Sequence, residues 1–187
     1  MKVKIKDIAN VRSGVFTKEQ PEGEVYSLQV NSFDREANEL ILSSPSVEMS
    51  DKIGNHLLED GDILLASKGA FNFSIVFKKA IGKAVASSSF LVLRIKDKAA
   101  LNPDYLCWIL NREDSLFFFR ANATGSSIPS ISKSVVEDFQ FDAPAMKIQK
   151  RIAAIVKLQK QEHKILTKLS LQRRKLIERQ LTEITKK

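Results

Sequence analysis

Two histidines (His56 and His163), one cysteine (Cys107) and seven glycines bound the chemistry open to this chain of 187 residues. A structural zinc site takes four Cys or His ligands, more than these three residues supply by themselves. The glycines stand at 14, 23, 54, 61, 69, 82 and 125, so no Gly-x-Gly dinucleotide loop can be drawn. No Gly-Lys-Ser/Thr cradles a phosphate, and no Gly-x-Ser-x-Gly elbow presents a nucleophile. Cys107 lies in the apolar run Tyr-Leu-Cys-Trp-Ile-Leu and reads as a small buried hydrophobe. His163 lies among charges and reads as solvated.

Two features approach nucleic-acid chemistry. Asn102-Pro103-Asp104-Tyr105 resembles the Asn-Pro-Pro-Tyr loop that holds a flipped-out base in adenine methyltransferases, with Asp104 in place of the second proline. No glycine-rich cofactor loop precedes it, so the simpler reading is a capped helix start. Phe117-Phe118-Phe119 could stack on bases, but a buried helix end is the simpler reading. More suggestive are small polar and cationic loop positions: Arg12-Ser13-Gly14, Lys68-Gly69, Lys78, Lys79, Lys83, Ser126 and Ser127. Side chains of this kind position phosphates and hydrogen-bond base edges. Each is also what a solvated turn contains.

The charge is divided unevenly along the chain. From Lys147 to Lys187 there are 13 Lys/Arg and 3 Asp/Glu, whereas Met1 to Met146 carries 17 and 19. The net charge of +8 therefore belongs to the C-terminal segment, and a polyanionic partner is expected. The first residues, Met-Lys-Val-Lys-Ile-Lys-Asp, contain no apolar stretch of a secretory leader. With a single cysteine, these features suit a reducing cytoplasm. No run of 18 apolar residues suggests a membrane span.

The elements that must position these residues read as an α+β body, strand-rich with short helices, over 1–144. Residues 145–187 form one long spacer or dimerisation helix. Ile5 to Val11 is a short opening element, and Glu24 to Val30 alternates as a half-buried strand. Asp60-Gly61-Asp62 turns into the strand Ile63–Ala66, and Phe73–Phe77 and Phe90–Ile95 read as further buried strands. Asn102 caps a helix over Pro103–Asn111, and Ser132 or Ser134 starts another that ends near Phe139. Gly125 to Pro129 is the loop between them.

The segment from Met146 to Lys186 contains neither Gly nor Pro and reads as one helix about 60 Å long. One apolar stripe includes Ile152, Ile155, Leu158, Ile165, Leu169 and Leu176, with Glu162 and Gln172 in the same seam. A second runs through Leu166, Leu169, Arg173, Ile177, Leu181 and Ile184. Such a helix either covers its own domain or pairs with another chain. It is longer than the body it could cover, which favours an intermolecular coiled coil.

Four blocks, in order, carry a family resemblance. They are Ile5 to Gly14; Glu59-Asp60-Gly61-Asp62-Ile63-Leu64 with Lys68-Gly69; Gly125-Ser126-Ser127-Ile128-Pro129-Ser130-Ile131-Ser132-Lys133; and Gln149-Lys150-Arg151-Ile152. The chain resembles the DNA specificity subunit of type I restriction–modification systems. It departs from the family at Ala143 to Gln149, where Pro-Pro-Leu-x-Glu-Gln is usual. A complete specificity subunit has two recognition domains and two spacer helices; this chain shows one of each and so resembles a half-subunit.

The resemblance implies a non-catalytic protein that binds double-stranded DNA and no cofactor of its own. It implies a partner modification subunit that carries the S-adenosylmethionine chemistry, and through the complex a restriction subunit. An antiparallel homodimer would then read an interrupted palindrome. Two other classes stand beside this one. A truncated specificity subunit could pair with a full-length one and redirect or block it. A free-standing nuclease, methyltransferase or regulator lacks any supporting motif.

Overall fold

The computed structural model describes residues 2–34, 39–41 and 44–185. The body opens with strand β1 (Lys2–Lys4), a single turn α1 (Ile5–Ile8) and β2 (Ala9–Ser13). Short strands follow: β3 (Tyr26–Leu28), β4 (Phe33–Asp34) and β5 (Glu39–Leu40), then the turn α2 (Asp51–Gly54). The centre holds β6 (Ile63–Ala66), β7 (Ser74–Val76), β8 (Ala84–Ala86) and β9 (Phe90–Ile95). Helices α3 (Pro103–Leu110), α4 (Glu113–Ala121) and α5 (Lys133–Asp138) precede β10 (Gln140–Asp142) and the long α6 (Met146–Ile184). The fold is α+β, as the sequence implies.

Strand order β2-β9-β6-β7 builds an antiparallel sheet with β9 and β6 inside. Successive side chains on a strand point to opposite faces. Ile63, Leu65, Leu91, Leu93 and Ile95 therefore share one core with Leu106, Leu110 and Phe119 of the helices. Leu64, Ala66, Phe90 and Val92 share the other with Leu28 and Ala84, from the parallel pair β3 and β8, and with Phe77, which follows β7. Burial on both faces is why β6 and the Phe90–Leu93 stretch of β9 read as continuous apolar runs rather than alternating ones. At the edge, the Asn111 side chain takes the place of a neighbouring strand. Its Oδ1 accepts from Ser74 N–H at 2.7 Å, and its Nδ2 donates to the Ser74 carbonyl at 2.8 Å. An edge satisfied in this way offers less to a stray strand.

The N-terminus and the entry to α6 are tied together, since β1 pairs with β10. Gln149 in the first turn of α6 is 1% exposed. Its Oε1 accepts from Asn102 N–H at 2.9 Å, and its Nε2 donates to the carbonyls of Pro144 and Ala100 at 2.8 and 3.0 Å. One amide thus seats α6 against the capped start of α3, where Asn102 accepts from Tyr105 N–H. Beyond this base the helix leaves the body, and every described residue from Lys157 to Thr185 is exposed. A helix covering its own domain is therefore not what forms. Residues Lys186 and Lys187 lie outside the described residues.

Several sequence expectations change in detail. The opening element is two, α1 and then β2, because the chain turns at Ile8 before it joins the sheet. The strand expected over Glu24–Val30 narrows to β3, and its buried positions, Val25 and Leu28, are not in strict alternation. Of helix α4, only a helix end at Phe117 to Phe119 is expected from sequence; the helix runs over Glu113–Ala121. It holds Phe117 to Phe119 on different faces: Phe119 is fully buried against Phe139, whereas Phe117 is 68% exposed.

Candidate nucleic-acid interface

The antiparallel register puts several loops at one end of the central sheet. Ser13 of β2 and Leu65 of β6 both pair with Leu91, Ala66 pairs with Phe90, and Ser74 of β7 pairs with Leu65. The segments after Ser13, after Ala66, before Ser74 and before Phe90 must therefore emerge together. Backbone bonds knit them into one ridge. Gly14 N–H donates to the Phe90 carbonyl at 2.9 Å, and Val15 N–H to that of Ala86 at 2.9 Å. Ser67 N–H donates to the Ser89 carbonyl at 2.9 Å, and Ile131 N–H to that of Ser67 at 2.8 Å.

The Gly125–Pro129 loop is closed at its base by a reciprocal pair. Thr124 N–H donates to the Ser130 carbonyl at 3.0 Å, and Ser130 N–H to that of Thr124 at 2.8 Å. Gly69 N–H then reaches the Pro129 carbonyl at 2.9 Å, so the Lys68 loop and the Ser126-Ser127 loop are fastened to each other. Gly69 and Gly125 have φ of 95° and 103°, in the region that L-residues avoid. At Gly14 the constraint is proximity: a side chain there would run into the carbonyl oxygens of Ser87 and Ala86.

Lys68, Ser126 and Ser127 are exposed on this ridge, and Ser13 is exposed beside it. Arg12 is engaged otherwise. Its guanidinium donates to the carbonyls of Asn55, His56 and Leu57 at 2.9, 3.3 and 2.9 Å. Burial, and then the neighbouring Arg94, lower its pKa from the usual guanidinium value. Arg94 reinforces the same segment through the Leu57 carbonyl and through buried Asp62, whose carboxylate takes two bonds at 2.7 and 2.8 Å. Burial, then the positive charges of Arg12 and Lys52, depress the His56 pKa.

Lys78, Lys79 and Lys83 are exposed at the opposite end of the sheet. Gly61 N–H donates to the Phe77 carbonyl and Lys79 N–H to Asp60, which places Lys78 and Lys79 by the turn that precedes β6. Lys78 lies 3.5 Å from Asp104 in an exposed ion pair. The Lys83 carbonyl accepts from Tyr26 N–H at the start of β3. The structure thus gathers three of the loops singled out from sequence and leaves these lysines apart.

The ridge also has members that sequence reasoning did not single out. A cleft of about 390 Å³ between the turn Val30–Ser32 and the Ser87–Ser89 segment is lined by Gln29, Asn31, Ser87 and Ser89. Phe16, Phe71 and Ile128, on three of the converging loops, are 78%, 66% and 63% exposed. No motif marks them, because which apolar residue stays outside depends on loop packing.

The geometry defines a class: an α+β domain with loops gathered at one sheet end, carried on a single long helical arm. A sequence model of the type I restriction modification DNA specificity domain matches residues 1–186, and the chain belongs to that family. Among solved structures, it is similar to the type I restriction–modification S subunit from M. genitalium, with a TM-score of 0.62 and 17% identity over 96% of this chain. It is likewise similar to the HsdS subunit from Thermoanaerobacter tengcongensis, with a TM-score of 0.61 and 14% identity over 90% of this chain. A structure described under assembly and conformational transition of the type I R-M system matches with a TM-score of 0.61 and 14% identity. At these identities the likeness is one of fold. This chain spans 44%, 39% and 43% of those three chains, less than half of each. No curated protein matches in sequence. Among the described residues no helix is long and apolar enough to cross a membrane, and no three His, Cys, Asp or Glu side chains cluster as metal ligands would.

Proposed function

We propose that this chain is a half-length DNA specificity subunit that reads one half of a split DNA sequence and directs a separate modification subunit to it. The observation that carries the reading is the convergence of Ser13-Gly14, Lys68-Gly69 and Gly125–Ile131 at one sheet end, in a chain of the specificity-domain family. Exposed side chains of Ser126, Ser127 and Asn31, with the half-buried hydroxyls of Ser87 and Ser89, supply hydrogen bonds to base edges, while exposed Lys68 contacts phosphate. Lys78, Lys79 and Lys83 form a second set of phosphate contacts, and the basic surface of α6 follows the backbone between half-sites. Methyl transfer, with its S-adenosylmethionine, belongs to the modification subunit, and the restriction subunit joins through the same complex in the cytoplasm.

Two copies complete the site by pairing their α6 helices about a two-fold axis. Support comes from the apolar stripe of Ile155, Leu158, Ile165, Leu166, Leu169, Leu176, Ile177, Leu181 and Ile184, which is between 46% and 70% exposed in the single chain. Ile152 differs, since it packs partly against the body. Selection from random DNA by the complex of this chain with its modification subunit tests the reading. Enrichment of two identical inverted half-sites at a fixed spacing is expected; enrichment of nothing contradicts it.

A second reading, a truncated subunit that pairs with a full-length one and redirects or blocks it, draws on the near-neutral body. Residues 1–146 carry two more acidic than basic side chains, so the recognition domain itself adds no bulk electrostatic attraction to DNA. Loss of an existing methylation pattern when this chain is supplied would favour that reading.

A further inference from the structure

The apolar stripe of α6 is interrupted by two opposite charges, and their spacing selects one way for two copies to pair. Glu162 and Arg173 are eleven positions apart, about three turns, so they lie nearly on one line along the helix. That line also carries Ile155, Leu166, Leu169 and Leu176. Ile165 and Leu158 widen it on one flank, Ile177 and Ile184 on the other. Both charged residues are exposed, and among the described residues neither has an ion-pair partner in its own chain.

We infer that Glu162 and Arg173 key the dimer: in an antiparallel pair of α6 helices each Glu162 meets the partner copy's Arg173, with the two-fold axis between Thr167 and Lys168. This deepens the homodimer reading above and rests on it. In this register Leu166 of one copy faces Leu169 of the other, twice, so four leucines surround the axis. The Glu162–Arg173 pairs close both ends of that cluster. Outside them Gln159 meets Leu176 and Ile155 meets Gln180. Each layer brings together complementary core positions, as antiparallel coiled coils require.

The alternatives leave charge unmatched. A parallel two-fold pair sets Glu162 against Glu162 and Arg173 against Arg173, like charges in a desolvated seam. A parallel pair staggered by eleven residues would match them once and leave an open end for the next copy. Sliding the antiparallel pair by one heptad sets Leu169 against Arg173 and Glu162 against Gln180, which leaves two charges of each copy, four in the dimer, without opposite partners. Polar seam residues of this kind fix register and orientation at some cost in stability.

Charge exchange on the full chain tests this, with mass in solution as the readout. Glu162→Arg alone and Arg173→Glu alone should each weaken self-association by about a hundredfold, because like charges then meet at both ends of the leucine cluster. Mixing the two single variants should restore dimers, since every cross-copy pair becomes opposite in sign. The double variant should self-associate like the wild type. Both positions are exposed in the single chain, so thermal unfolding of the body should be unchanged and serves as the control for folding. A wild-type dimer that neither single change weakens, or two single variants that stay monomeric when mixed, would overturn the register and leave the homodimer standing. A monomeric wild type would overturn both.

Discussion

Gly69 and Pro129, sixty positions apart in sequence, are joined by one N–H to carbonyl bond of 2.9 Å, and that bond unites two loops into a single surface. The Lys68 side chain and the Ser126-Ser127 pair therefore move as one unit on the end of a rigid sheet. Gly69, at φ 95°, has nothing within 4 Å of where a Cβ would stand, so its constraint is conformational. Gly69→Ala should cost about 1 kcal/mol of stability, and it should weaken DNA binding by more than that. Denaturant titration beside a binding isotherm measures both; equal losses would mean that the loop only supports the fold.

Lys68 and Arg12 should behave oppositely. Lys68 is exposed, so Lys68→Ala should leave the unfolding midpoint nearly unchanged. Affinity should fall across all DNA sequences, and the slope of log affinity against log salt should decrease by about one. Arg12 holds three carbonyls of the 55–57 segment, so Arg12→Ala should destabilise the body by about 2 kcal/mol. If Arg12→Ala left stability intact and abolished binding, the guanidinium would be a DNA contact after all.

Gln149 is the joint between body and arm. Gln149→Ala leaves one N–H and two carbonyls without their partner, so a loss of about 3 kcal/mol is expected in urea unfolding. The arm should also become more accessible to protease near its base. A variant as stable as the wild type would show that the apolar contact of Ile152 suffices to seat the helix.

Cys107 is fully buried beside Ser74 and Asn111, and burial pushes its thiol up to about 12. The folded protein should therefore resist thiol reagents at mildly alkaline pH and react at once in denaturant. Rapid labelling of the native chain would place the Cys107 helix wrongly against the β7 edge.

Much of this was legible in the residues, and the parts that were not have physical reasons. The Asn102 cap with Pro103, the β9 run and the long Gly-free helix are local signals, and the structure places them within a residue or two of where the sequence does. The four family blocks proved to be structural joints: Gly14 packs against Ser87, Asp62 pairs with Arg94, Gly69 meets Pro129, and Gln149 seats the arm. What sequence could not give is which loops meet. Lys68 and Ser126 come together because the chain just after β6 pairs with Pro129 to Ile131 across some sixty positions, while Lys78 and Lys79, only ten residues beyond Lys68, are carried by β7 to the other end. Arg12 looked like a loop cation because its carbonyl partners lie more than forty positions away.

The most direct test of the central claim is to express this chain with its modification subunit and map methylated bases across the host DNA. The account predicts a new gapped palindromic motif that is present only with the chain and whose half-site changes when the Ser126-Ser127 loop is replaced. The absence of any new motif, or the loss of an existing one, would contradict it and make the chain a modulator of another specificity subunit.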